Sequence, residues 1–175
     1  MKSPAMKSRL FKESGYSLVE LMIVVGTIAI IAGIAMPAWF RAREDSRSTA
    51  VINEIRLTSE AFENYATDNN NNFPSSSPDW YVIPGGMASY MPQNNTWTTT
   101  PPGGGAWSWI NQASNRNQPV NGYSYILGLY GSGLQTSSVQ QIDSLLDDGN
   151  LATGAFWCPG DPPPAANSWI FYGIQ

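Results

Sequence analysis

Residues 12–25, KESGYSLVELMIVV, place a short polar segment in front of an apolar run that continues to Phe40. A secretory signal has the opposite order, because its cleavage site follows the apolar segment and the segment is discarded. Here the small residue Gly15 precedes the apolar run, so a cut at this point would leave the run on the mature chain. The stretch therefore predicts a retained N-terminal helix.

The apolar run is long enough to cross a membrane. Residues 21–40 contain no charged side chain, and a helix of these twenty residues covers roughly 30 Å, the thickness of a bilayer's hydrocarbon core. Residues 1–15 carry a net charge of +3, whereas residues 41–47 carry +1. The positive-inside bias then predicts a cytoplasmic N-terminus, with the bulk of the chain across the membrane.

Gly15, Tyr16 and Glu20 resemble the type IV prepilin family, whose leader ends in glycine before an aromatic residue and whose mature chain has a glutamate at its fifth position. The resemblance implies that a prepilin peptidase removes residues 1–15 and that Tyr16 becomes N-methylated. It further implies a transmembrane and assembly helix at residues 16–40 and a periplasm-facing head at residues 41–175. The subunit would lie in the inner membrane until an assembly platform inserts it into a filament.

Glu20 is an acid at the start of an apolar segment, and such a charge costs up to about 3 kcal/mol at the membrane centre and less near the interface. In one interpretation, Glu20 stays hydrated at the level of the lipid headgroups or pairs with Lys12 of an uncleaved leader. The resemblance implies instead that Glu20 meets the Tyr16 amine of a neighbouring subunit. Opposite charges about 4 Å apart attract by around 4 kcal/mol at an effective dielectric near 20, before desolvation is subtracted. Such a pair would set the register between subunits.

Pro37 lies twenty-two positions after the proposed cut, where pilin helices commonly carry a proline that bends or locally melts the helix. The resemblance thus implies a role for Pro37 in assembly. A proline near the end of any membrane span is also tolerated, because neighbours and water can satisfy the carbonyl that it frees. Pro37 alone does not separate these two interpretations.

Beyond the span, Val51, Ile55 and Phe62 recur at helical spacing, which predicts an amphipathic continuation of the helix to about Asp68. The asparagine run that follows competes for backbone hydrogen bonds and stops it. Short strands are predicted at residues 80–83, 122–130, 155–158 and 168–173, and a short helix at residues 138–146. The predicted fold is α+β: one long N-terminal helix packed on a small antiparallel sheet within a loop-rich head. The pilin resemblance implies the same layout.

Composition argues against two other functional classes. From Tyr16 onward the chain has five basic and twelve acidic residues, a formal charge of −7, which disfavours a nucleic-acid partner. The chain has no histidine and shows no nucleophile beside a base in a recognisable motif, so we predict that it is not an enzyme. Cys158 is the single cysteine. Many fibre-forming type IV pilins carry a cysteine pair in the head, so its lack favours the pseudopilins of type II secretion.

Four oxygen-bearing side chains crowd the end of the predicted short helix, where the helix dipole disfavours anions: Asp143, Asp147, Asp148 and Asn150. Oxygen ligands suit calcium, and the resemblance implies a calcium site because major pseudopilins hold this ion in the C-terminal region. The spacing matches no EF-hand, and the same residues form an ordinary turn sequence around Gly149. Both interpretations remain open, and calcium is the one cofactor that we consider.

The resemblance to the type IV prepilin family thus implies a structural subunit of a type IV pilus-like filament, most favourably a type II secretion pseudopilin. Its partners would be copies of itself or other pilins, the prepilin peptidase, the assembly platform and membrane lipid. The alternative belongs to another class: a membrane-anchored carbohydrate-binding module without a filament role. In that case tryptophans and tyrosines among asparagine, serine and glycine would form the binding platform, and the helix would serve only as a tether.

Overall fold

The long predicted helix is present in the computed structural model, which describes residues 15–112, 121–159 and 169–174. This helix, α1, spans Leu18–Asp68, 51 residues. Its end near Asp68 confirms the prediction. Asn70 and Asn71 then adopt the left-handed conformation, with φ of 56° and 60°. Asparagine tolerates this conformation, but a right-handed helix cannot continue through it. Of the predicted leader, only Gly15 lies within the described residues.

The chain divides into two compact units, of which the first ends at Phe40 and the second begins at Arg41. In the first unit α1 is apolar around its whole circumference, and every described residue from 15 to 40 is exposed. A helix that is apolar on all sides belongs in an apolar surrounding. Among the described residues, α1 is the one helix long and apolar enough to cross a membrane. The helical assignment continues through Pro37, without a local break.

The second unit contains a four-stranded antiparallel sheet. Its strands are β1 Ala106–Asn111, β2 Tyr125–Tyr130, β3 Phe156–Trp157 and β4 Trp169–Ile174. Their order across the sheet is β1-β2-β4-β3, with antiparallel pairing throughout. A second helix, α2, spans Thr136–Leu146 between β2 and β3, and a 3₁₀ turn covers Met87–Ser89. The α+β class is confirmed, as are the predictions for β2, β3, β4 and α2.

The core of the second unit lies between α1 and the inner face of the sheet. Val51, Ile55 and Phe62 are 0–2% exposed, as the helical spacing predicted. Phe62 stacks on Trp109 of β1 with ring centroids 3.8 Å apart, and Trp97 approaches the same ring at 5.8 Å. Large aromatic side chains thus pack together with aliphatic ones in the core between the helix and the sheet.

The prediction was wrong at two places before β2. Residues 80 and 81 lie in a turn and residues 82 and 83 in no regular element, because Tyr81 adopts a φ of 61°, outside the extended region. The strand β1 was missed because it directly follows a run of glycines. Gly105 has a φ of 79° and approaches the Tyr130 carbonyl so closely that a Cβ would clash with it. The glycine run is typical of a loop in the sequence, but in the structure it lets β1 approach β2 closely.

Candidate functional site

Of the predicted site residues, Glu20 lies in the first turn of α1, and Gly15 and Tyr16 precede that turn. Ser17 directly precedes the first helical residue, and its carbonyl accepts a hydrogen bond from the Leu21 N–H at 3.2 Å. The Glu20 side chain folds back, so that its Oε2 accepts a hydrogen bond from the Ser17 N–H at 3.4 Å. This contact is the glutamate half of a capping box, whose Ser-x-x-Glu pattern is readable in the sequence and was missed.

The capping contact fixes where the Glu20 charge sits. An anion in the first turn is stabilised by the positive end of the helix dipole, so the fold itself contributes to holding Glu20 near the helix start. Tyr16 is 80% exposed, and Gly15 is exposed beside it. The segment that a peptidase would cut is therefore accessible in the described structure. Pro37 lies on the same helix seventeen residues beyond Glu20, about 25 Å along its axis.

The acidic residues at the end of α2 come together as the sequence suggested. One carboxylate oxygen each from Asp143, Asp147 and Asp148 lies within 4.8 Å of the others. A calcium ion bound at 2.3–2.6 Å keeps any two of its ligands within about 5 Å of each other, so one ion could contact all three. Asp143 is fully buried, and neither of its side-chain oxygens has a hydrogen-bond partner. An unpartnered buried carboxylate is unfavourable unless a cation or a proton compensates it.

The electrostatics of the three acids differ. Burial, followed by the negative charges of Asp148 and Asp147, raises the pKa of Asp143 to about 6, and the nearby Gly149 N–H opposes part of this rise. The pKa of Asp148 is lowered instead, because the Thr153 hydroxyl and then the Asn150 N–H donate hydrogen bonds to its carboxylate. The loop thus stabilises Asp148 as an anion, whereas at Asp143 burial and the two neighbouring charges outweigh the effect of the Gly149 N–H.

The loop after α2 also has a structural account that needs no ion. The Asp147 carboxylate accepts hydrogen bonds from the N–H groups of Ala155 and Phe156, which tie the end of α2 to the start of β3. The Asn150 side chain accepts a bond from the Ala152 N–H at 3.2 Å, as in an Asx turn. Asn150 therefore shapes the loop. The unsatisfied Asp143 is the feature that this turn geometry leaves unexplained.

A second concave surface lies beside α1. It is a groove of about 310 Å³ between α1 and residues 92–102. Glu54 is the one ionisable residue among its described lining residues, and its Oε1 accepts hydrogen bonds from the Thr96 N–H and hydroxyl. Acid–base catalysis there would lack a second ionisable partner within the described lining. We assign this groove no chemistry.

Comparison with protein-family profiles, with characterised proteins and with solved structures finds no match to this chain. Two local features of the described residues therefore indicate function. One is the exposed pair Gly15 and Tyr16, which leads into an exposed apolar helix. The other is the acidic cluster at the end of α2, with its buried and unpartnered Asp143.

Proposed function

We propose that this chain is a structural subunit of a type IV pilus-like filament, with a type II secretion pseudopilin as the favoured class. It assembles through α1 after its leader is cut between Gly15 and Tyr16. The observation that carries the proposal is the combination of the prepilin-like motif with an apolar helix that has no buried residue between 15 and 40. Such a helix needs lipid or other helices around it: the membrane supplies lipid before assembly, and a filament core supplies neighbouring helices afterwards.

The residues of α1 suit helix–helix contact after the subunit leaves the membrane. Gly26 and Gly33 lie seven residues apart on nearly the same face, and a Cβ built at either position meets nothing within 4 Å. Small residues at such positions let a second backbone approach closely. In this proposal Glu20 meets the free amine of Tyr16 on a neighbouring subunit, and the Ser17 contact holds the carboxylate at the required end of the helix.

The first prediction concerns processing. When the protein is produced together with its host's prepilin peptidase, the membrane-extracted chain is expected to begin at Tyr16 and to carry one added methyl group. Without the peptidase the chain is expected to retain residues 1–15. Intact mass and N-terminal sequencing measure both states, with Gly15→Leu as the blocked variant and Ser14→Ala as its matched control.

Retention of residues 1–15 in the presence of an active peptidase would overturn the proposal. The segment would then be a plain membrane anchor, and the carbohydrate-binding module would become the leading interpretation. Cleavage without methylation would leave the proposed cut after Gly15 in place and remove only the modification of Tyr16 from the proposal.

We further propose that the cluster of Asp143, Asp147 and Asp148 binds calcium in the mature head. The donors are all oxygens, as calcium prefers. Asp147 keeps one oxygen outside its bonds to Ala155 and Phe156, and both oxygens of Asp143 are unpartnered. A bound cation would neutralise charges that gather at the negative end of the α2 dipole. Its role would be structural, joining α2 to the loop that leads into β3.

The second prediction is that calcium stabilises the full chain in detergent at pH 7.5. A ligand present at a hundred times its Kd adds about 2.7 kcal/mol, which corresponds to a rise of roughly 5–10 °C in Tm for a protein of this size. Asp143→Asn is expected to remove this rise, whereas Asp45→Asn, an exposed acid on α1, is expected to keep it. An unchanged Tm of the unsubstituted chain at millimolar calcium would contradict the proposed site.

The third prediction concerns pH in the absence of metal. The pKa of Asp143 is raised to about 6 in the folded protein, above its ordinary value of 3.8. Between these two values the folded state holds the proton while the unfolded state has lost it. The contribution of Asp143 to stability therefore falls as the pH rises from about 4 to about 6, and it stays unfavourable above that. Melting curves in EDTA are expected to show this slope, and Asp143→Asn is expected to flatten it.

A further inference from the structure

Three consecutive apolar residues are exposed at the turn that replaced the expected first strand. Trp80, Tyr81 and Val82 are 39%, 42% and 41% exposed. The Trp80 ring contacts Tyr130 at 4.4 Å and Trp169 at 5.5 Å between centroids, and the latter two rings contact each other at 5.0 Å. We call these five residues, with Asp79 at their edge, the aromatic patch. It combines one loop and two paired strands of the sheet.

The backbone of the patch is held in an unusual conformation. Tyr81 has a φ of 61°, which is rare and costly for a bulky residue and tends to occur at functional positions. Its hydroxyl donates a hydrogen bond to the Gly105 carbonyl at 3.1 Å, which anchors the turn beside β1. The Asp79 carboxylate accepts a bond from the Trp80 N–H at 2.7 Å. The exposed rings are thus fixed in place before any ligand arrives, which lowers the entropic cost of binding.

The sheet beneath the patch is shaped for the rings. Trp169 and Tyr130 are paired across β4 and β2, and Gly128 of β2 lies under the Trp169 ring, where a Cβ would come within 2.8 Å of it. The absent side chain lets the indole lie flat against the strand. Trp169 in turn supports Trp80, whose ring is inclined to it by 28°.

The arrangement of the rings and the charge of the patch exclude several classes of ligand that other aromatic surfaces bind. A cage for an ammonium group needs rings around an open space, whereas Trp80, Tyr130 and Trp169 contact one another at 4.4–5.5 Å. Anionic polymers are disfavoured because the patch contains no lysine or arginine and the chain from Tyr16 onward is acidic. A stable protein interface uses roughly 20–30 residues a side, far more than this patch offers.

We propose that the aromatic patch binds a neutral polysaccharide. The C–H groups of a sugar ring carry partial positive charge and are attracted to the face of an indole. The second oxygen of the Asp79 carboxylate has no hydrogen-bond partner among the described residues, and neither has the Tyr130 hydroxyl. Both groups can therefore form hydrogen bonds with sugar hydroxyls. Trp80 is the stacking residue, and Asp79 orients the sugar. This surface lies outside α1, so the inference goes beyond filament assembly.

The test is retention of the full chain, in detergent, on cellulose, chitin and cross-linked dextran beads. The unsubstituted protein is expected to be retained on at least one of them, and Trp80→Ala to weaken retention roughly tenfold, as one lost stacking contact does. Trp80→Phe and Asp79→Asn are expected to have smaller effects. Leu57→Ala, which alters a residue 52% exposed on α1, is the matched control and is expected to bind normally.

Absence of retention on all three matrices would overturn the inference, as would equal retention of Trp80→Ala and the unsubstituted chain. Retention that choline abolishes would also overturn it, in favour of a cationic ligand. Processing at Gly15 is expected to be unaffected in Trp80→Ala. A failure of glycan binding can therefore be distinguished from a failure of the filament proposal.

Discussion

Replacement of Glu20 by leucine is expected to leave the protein in the membrane and to abolish its incorporation into filaments. The leucine removes a charge from an apolar segment, so insertion becomes easier. In the proposed filament, the same change would leave the Tyr16 amine of a neighbouring subunit without its partner in a low-dielectric bundle. Breaking a buried pair in this way costs about 3–5 kcal/mol, which weakens each subunit contact at least a hundredfold. Membrane fractionation and filament shearing measure the two quantities separately.

Glu20→Gln separates the charge of this residue from its role as a helix cap. Glutamine can still accept the hydrogen bond from the Ser17 N–H, but it carries no charge for a neighbouring amine. Loss of filaments in both Glu20→Leu and Glu20→Gln would support the pairing. Normal filaments in Glu20→Gln would assign Glu20 to capping alone. Glu60→Leu changes an exposed acid of α1 beyond the apolar segment and is expected to assemble normally.

Replacement of Phe62 by alanine is expected to destabilise the head by about 3–5 kcal/mol, the usual range for removing a buried phenylalanine. Phe62 is fully buried, and its ring stacks on Trp109 with an interplanar angle of 18°. Its removal would leave a cavity between α1 and β1 that the rigid indole rings cannot fill. Because small proteins are stable by only about 5–15 kcal/mol, the variant is expected to be partly unfolded near 37 °C.

Urea unfolding of the full chain in detergent, followed by tryptophan fluorescence, measures this effect. Leu57→Ala is the matched control on the same helix, because Leu57 is largely exposed and its truncation is expected to cost under about 0.5 kcal/mol. Phe62→Leu is expected to fall between the two. A loss below about 1 kcal/mol in Phe62→Ala would show that the helix does not depend on this contact.

Local chemistry explains why α1 could be predicted well. A charge-free run of twenty residues, an apolar repeat at helical spacing and an asparagine stop all act within a few residues of one another. The capping contact between Ser17 and Glu20 is equally local, and its pattern was available. The strands β2 and β4 followed from alternation and aromatic content in the same way.

The acidic cluster was only partly predictable. The sequence shows that Asp143, Asp147 and Asp148 lie near the end of a helix, and this closeness was confirmed. It does not show that Asp143 alone is fully buried without a partner. Burial depends on what packs over a side chain, and those groups come from distant parts of the chain.

The sequence alone determined the apolar helix, its boundaries and the motif around Gly15, because each depends on neighbouring residues along one backbone. Tertiary structure decided the rest. β1 can form because Gly105 approaches the carbonyl of Tyr130, and the turn at residues 80 and 81 is held by the Tyr81 hydroxyl, which bonds to a carbonyl 24 residues away. The aromatic patch likewise joins rings from three separated segments. Such contacts form only when chain segments far apart in sequence meet, and no local pattern encodes that meeting.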